Sequence, residues 1–229
     1  MSGATYLWRK LTPKQREGLI AWRKRQGLPW HRPPHRAGDK TRYHVPAACF
    51  EHRHYIGWNE DRMQSFCDTL LAVFKGRSAL IHAWCVLPNH YHAIIETSDI
   101  LGVLNDLGRM HGRLSFCWNG KENTRGRQVW CGAAERYMRN DAHFWATLNY
   151  VHNNPVHHGY AGRWQDWPFS SAPEYLAEMG RTFAEKTWRE YPILDYGKGE
   201  MMRNCEKGHA KAWTPNVGCL FGVHPSGCS

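Results

Sequence analysis

The stretch from Ala79 to Glu96 constrains the fold more tightly than any other part of the chain. ALIHAWCVL, residues 79–87, is a mostly apolar run that fits a buried strand. Pro88-Asn89 breaks it, and HYHAIIE, residues 90–96, reads as a second strand. With so apolar a neighbour, the second strand belongs in the middle of a sheet and not at a frayed edge.

The other elements fall around this pair. TRYHVPAACF, residues 41–50, alternates roughly and carries β-branched and aromatic residues, so it predicts a strand. Residues 60–75 place Met63, Phe66, Leu70, Leu71 and Phe74 at helical spacing. Residues 101–118 read as a helix despite Gly102, Gly108 and Gly112, and RQVWCG is a short strand candidate. DAHFWATLNYVHNN, residues 141–154, predicts a further helix, stopped by Pro155. The first six elements run strand, helix, strand, strand, helix, strand. That order predicts an α+β, ferredoxin-like fold, an antiparallel sheet with helices on one face. The plan hosts many functions, so function must be argued from a site.

The catalytic domain is expected over residues 41–160, between a basic extension at 1–40 and a C-terminal extension at 161–229. In the first extension, Thr12-Pro13 opens a capped helix and the Pro-rich LPWHRPPHRAGDK is extended. The eight Cys form no CxxC pair, so neither a redox motif nor a zinc ribbon is indicated; Cys205, His209, Cys219 and His224 have loosely finger-like spacing. No apolar run is long enough for a membrane span and the start lacks a signal-peptide core, so the expected location is cytoplasmic, at the nucleoid if DNA is bound.

Charge points to the partner. Lys and Arg number 30 against 20 Asp and Glu, a formal +10 that omits 15 His. Such a balance favours a polyanion. Aromatic rings beside basic residues suit stacking on unpaired bases, although most rings of a folded chain belong to its core. Arg23, Lys24, Arg25, Arg32 and Arg36 are the candidate DNA contacts, with Arg9, Lys10, Lys207, His209 and Lys211 as further basic positions.

Two segments carry chemistry. His90 and His92 flank Tyr91 in a strand, so both imidazoles share one face. In the helix 141–154, Phe144, Trp145, Leu148 and Val151 form the apolar stripe, and Tyr150 and Asn154 lie opposite it, one turn apart. Asn154 also reads as a C-cap, and the histidines also read as ordinary polar residues of a strand face. Two neutral imidazoles and an amide oxygen would leave open positions on a divalent ion, Mg²⁺ or Mn²⁺, that accept phosphate oxygens. A tyrosine beside that ion can attack phosphorus, and phenolate is a fair leaving group for the reverse step.

CVLPNHYHAIIE resembles the His-hydrophobe-His motif of HUH single-tyrosine transposases. LNYVHNNPVHHGY resembles their catalytic helix, DWPFSSAPEY the segment that often follows it, and YPILDYGKG a C-terminal stretch of some relatives. The order and spacing over residues 41–175 are similar to the REP-associated tyrosine transposase branch. The resemblance implies metal-assisted cleavage of single-stranded DNA beside a hairpin, leaving a 5′-phosphotyrosine and a free 3′-hydroxyl. It implies His90 and His92 as metal ligands, Tyr150 as nucleophile and Asn154 as the ligand that completes the site. Glu96 shares the strand face of the histidines and is a rival third ligand. WCGAAERYMRND departs from the pattern, with Gly132, Ala133 and Ala134 where relatives carry bulkier or polar residues. A monomer is expected, and a domesticated hairpin-binding protein without cleavage activity is the alternative.

Overall fold

The structure, a computed structural model, describes residues 12–25 and 41–193. Helix α1 (Pro13–Arg25) starts as expected. The Thr12 amide donates to Gln15 Oε1 and the Gln15 amide donates to Thr12 Oγ1, a reciprocal cap with Pro at the first helical position. The side chains of Arg23, Lys24 and Arg25, and all of Arg32, Arg36 and the tail Cys and His residues, lie outside what is described.

Strands β1 (Thr41–Cys49), β2 (Leu80–Leu87), β3 (His90–Thr97), β4 (Trp130–Ala133) and β5 (Arg136–Tyr137) form one antiparallel sheet. Its order is β2-β3-β1-β4, with β5 also on β1, so the fold is the expected α+β, ferredoxin-like one. β3 is central, with Leu87 opposite His90 on one side and Ala48 opposite His90 on the other.

Helices α2 (Glu60–Gly76) and α3 (Ile100–Lys121) cover one face. Each is capped by a side chain that accepts a first-turn amide: Asn59 from Arg62, Asp99 from Gly102. Met63, Phe66, Leu70 and Phe74 of α2 and Val103, Leu107 and Met110 of α3 are buried against the sheet. Each such side chain contributes about 1.5–3 kcal/mol by leaving water. Alternation along β3 sends Tyr91, Ala93 and Ile95 to this side, where the Tyr91 ring lies 5.6 Å from that of Phe66.

Helix α4 (Asp141–His157) lies on the opposite face, against β2 and β3. Helices thus cover both faces of the sheet and not the one face expected, and this helix departs from expectation in two further ways. Pro155 does not stop it: the proline only removes the N–H that would reach Val151, and the next bonds form, His158 N to Asn154 O at 3.1 Å and Tyr160 N to Pro155 O at 2.8 Å. Asn154 is therefore inside the helix and not its cap. The helix is also buried on both sides, Tyr150 and Asn154 included. Tyr150 and Asn154 are covered by the histidines of the sheet, and the other side of the helix by two later helices, α5 (Ala172–Met179) and α6 (Arg181–Glu190). Asn149 Nδ2 ties α4 to their end by donating to the Tyr191 carbonyl at 2.9 Å.

Residues 167–171, within the segment expected as an extension, complete the sheet. Val86 N donates to Phe169 O and Ser171 N to Trp84 O, so this segment pairs with β2 and covers an otherwise open edge. Trp167 and Phe169 enter the core. Just past the C-terminal end of β2, Gly57 sits against Pro88: a Cβ there would lie 2.3 Å from Pro88 Cβ, so only glycine lets the loop before α2 close on the turn that precedes His90. No helix among the described residues is long and apolar enough to cross a membrane.

Candidate active site

Period-two alternation on β3 points His90 and His92 toward α4, and both are buried, at 1% and 2% exposure. Their rings are 5.1 Å apart and nearly perpendicular. From α4, the Tyr150 ring lies 5.2 Å from His92, and Asn154 Oδ1 lies 2.8 Å from His90 Nε2. Two residues on a strand and two at i and i+4 on a helix thus meet within one chain.

The outer ring nitrogens are also held. Asn89 Oδ1 is 2.7 Å from His90 Nδ1, and His44 Nε2, from β1, is 3.0 Å from His92 Nδ1. The Asn89 amide has a fixed orientation, because its Nδ2 donates to the His52 carbonyl at 3.1 Å. Its oxygen therefore faces His90, and His90 Nδ1 must be the donor. In a neutral imidazole that leaves a lone pair on Nε2, directly opposite the Asn154 amide. At His92, Nδ1 shares a hydrogen bond with His44 Nε2, and Nε2 is buried with no hydrogen-bond partner among the described residues.

Burial keeps these rings neutral. Both His90 and His92 are held well below the usual imidazole range, first by desolvation and then by neighbouring histidines. Desolvation lowers His44 to about 3, with Arg136 and His143 adding to it. It lowers His158 to about 4, with His157 and His52 adding to it. Neutral imidazoles are the form that binds a cation.

The donor set is two imidazole nitrogens and one amide oxygen. No cluster of three His, Cys, Asp or Glu arranged to hold a metal occurs among the described residues. Two observations nevertheless fit a cation at this place. His92 Nε2 and Asn154 Nδ2 are buried and unpartnered. The His90 Nε2 lone pair faces an amide oxygen at 2.8 Å, a contact that a shared cation or a rotated amide would satisfy. Glu96, the rival ligand, is drawn elsewhere: its carboxylate is 3.2 Å from His82 Nε2.

The spacing of the sequence motifs anticipates His90, His92, Tyr150 and Asn154. It does not reveal His44, Asn89 and His158. His158, with its ring 4.9 Å from His90, had a usable signal, since 150, 154 and 158 repeat every four residues on one helical face. Asn89 had a weaker one, being adjacent to His90. For His44 there was none, because its partner is remote in sequence.

The fold is a transposase-like α+β one. A solved structure of a REP-associated tyrosine transposase bound to a REP hairpin aligns with a TM-score of 0.51 at 19% identity, over 66% of this chain and 86% of that one. A putative transposase of Deinococcus radiodurans aligns with a TM-score of 0.37 at 12% identity, over 53% and 96%. The REP-associated tyrosine transposase of Escherichia coli K12 is 28% identical over 131 residues, 57% of this chain and 74% of that protein. The chain is thus a homologue of the REP-associated tyrosine transposases. No family model matches it.

Proposed function

We propose that this chain cleaves and rejoins single-stranded DNA beside a hairpin, through a covalent 5′-phosphotyrosine at Tyr150. The observation that carries this reading is the convergence of His90, His92, Tyr150 and Asn154 in one chain, each histidine with its Nδ1 occupied and its Nε2 turned inward. His90 Nε2, His92 Nε2 and the Asn154 amide oxygen would hold the divalent ion. When bound, Mg²⁺ or Mn²⁺ polarises the scissile phosphate and offsets charge developing on its oxygens.

The chain's own residues do the rest. Tyr150 Oη attacks phosphorus; the Oη–P bond forms as the P–O3′ bond breaks. The phenolic proton leaves Oη, and the departing 3′ oxygen gains one. In the reverse step a DNA 3′-hydroxyl attacks the phosphotyrosine, so strands are exchanged without a net change in bond type. The edge contact of Tyr150 with His92 sets where the phenol sits. Asn89 keeps His90 in the tautomer that presents a lone pair at Nε2, and His44 Nε2, by accepting from His92 Nδ1, would do the same for His92.

The partner this reading implies is single-stranded DNA with a hairpin, in keeping with the hairpin bound by the homologous structure. Because the four residues come from one chain, a monomer suffices. Incubation with an end-labelled hairpin oligonucleotide and Mn²⁺ tests it. Wild type should give an SDS-stable protein–DNA adduct and Tyr150→Phe none. An adduct that persists in Tyr150→Phe removes the nucleophile. Hairpin affinity with no wild-type adduct in Mg²⁺ or Mn²⁺ leaves the binding-only alternative.

A further inference from the structure

Helix α4 has a second polar face. While Tyr150 and Asn154 look toward the histidines, Asn149, His152 and Asn153 line a cavity of about 440 Å³ on the far side, closed by the turn after α4 and by α5 and α6. That volume is within the range of about 300–1,000 Å³ typical of small-ligand sites. We propose that this cavity takes one unpaired nucleotide of the substrate strand, with its base beside Trp164 and Trp188. This inference rests on the single-stranded DNA reading above and extends it to a site away from the chemistry.

Three observations carry it. The first is the walls. Trp164, from the turn after α4, and Trp188, from α6, are both half-buried and both line the cavity. Trp164 is set in orientation by stacking on the His152 ring, 6.1 Å away and within 10° of parallel. His152 is itself fixed by Ser171 Oγ at 3.0 Å and by the Tyr175 ring. Oriented aromatic surface with an open side is what a flat base stacks on, whatever its identity. At Gly162 on its lining, an added Cβ would meet nothing within 4 Å among the described residues.

The second is charge. Arg181 and Arg189 share one carboxylate, Glu185, at 3.8 and 3.6 Å, and both side chains are mostly exposed. Two guanidiniums over one carboxylate leave a net positive rim. Such long, solvated pairs exchange readily for a phosphate, which a guanidinium grips with two parallel hydrogen bonds. The third is position. The cavity and the catalytic face are opposite sides of one helix, so a strand held in the cavity is fixed relative to the helix that carries Tyr150.

The test uses the full chain and two DNA probes, a blunt hairpin and the same hairpin with a single-stranded flank. The flank carries the fluorescent base 2-aminopurine at each position in turn. The expected result is quenching at one flank position. Trp188→Ala should abolish that quenching and weaken the flanked hairpin about tenfold, as loss of one stacked base does. Blunt-hairpin affinity should be unchanged, and Trp188→Phe, which keeps a ring, should restore most of the binding. Equal affinity of Trp188→Ala and wild type for the flanked hairpin overturns the proposal. So does an equal loss on both probes that Trp188→Phe fails to rescue. The two readings fail separately: flank-dependent binding without any adduct removes cleavage and keeps the cavity, whereas an adduct with flank affinity insensitive to Trp188 removes the cavity and keeps cleavage.

Discussion

The two faces of the sheet treat the same residue type in opposite ways. On the α2/α3 face, His111 is packed as a flat apolar ring, stacked on Trp130 at 4.0 Å and 14°, with its Nε2 on the Tyr91 hydroxyl at 3.3 Å. On the α4 face, His92 is equally buried, yet its Nε2 has no partner among the described residues. Both rings lose their charge to burial; His111 is lowered to about 3 and His92 well below its usual range. A low imidazole pKa therefore does not distinguish a structural histidine from a chemical one. What separates these two rings is the inner nitrogen: His111 Nε2 has the Tyr91 hydroxyl, whereas His92 Nε2 has no partner among the described residues. On the function proposed above, that nitrogen is left for a cation.

The strongest way to break this contrast is to remove one histidine from each face. His92→Ala should reduce adduct formation by about a thousandfold or more per folded molecule, and it should also cost about 2–4 kcal/mol in denaturant unfolding, because it vacates a buried ring and leaves His44 Nε2 unpaired. His111→Ala should cost a similar loss of about 2–4 kcal/mol, with the adduct rate per folded molecule kept. Equal effects of the two variants on adduct formation would erase the distinction.

Next in size is the outer layer of the site. His44→Ala should weaken Mn²⁺ binding, read by electron paramagnetic resonance, by about 10–100-fold, because His92 loses the acceptor that fixes its tautomer. His44→Gln, which can still offer an oxygen to His92 Nδ1, should recover part of it. An unchanged Mn²⁺ affinity in His44→Ala would make that contact mere packing.

Acid should act on both faces. His111 and His152 are each lowered to about 3 by burial, so the unfolded chain binds more protons than the folded one between about pH 3 and 6.5. Their contribution is complete above pH 6.5 and is lost as pH falls through that window, at about 1.4 kcal/mol per pH unit for each fully differential group. Urea unfolding between pH 7 and pH 5 should follow this fall, and His111→Phe should make it less steep by the share of one group. The smallest expected effect is at Glu96. Its pairing with His82 is part-exposed, so Glu96→Gln should cost about 0–1 kcal/mol and leave Mn²⁺ affinity unchanged, whereas Asn154→Ala should lower that affinity.

What the sequence reveals about this molecule follows the range of the interactions. Local periodicity is enough to put His90 and His92 on one strand face and Tyr150 above Asn154 on a helix, and the element order is enough for the sheet. Contacts between distant segments are not readable in this way. His44 reaches His92 across 48 residues, with no spacing rule to announce it. The apolar stripe of α4 suggests a surface helix with Tyr150 outside, because nothing local reveals that Tyr150 and Asn154 face the sheet histidines while α5 and α6 close the other side. Pro155 reads as a stop, since the survival of the helix depends on the bonds that follow it. Residues 167–171 look like the start of an extension because their β2 partner lies some 80 residues earlier.

The central claim is that the α4 face makes a covalent bond to DNA at Tyr150. Protease digestion of the adduct followed by mass spectrometry tests it most directly. The account predicts a nucleotide joined through its 5′-phosphate to the peptide that contains Tyr150, with a free 3′-hydroxyl on the released strand. Attachment at any other residue, or a phosphate left on the released 3′ end, would contradict it.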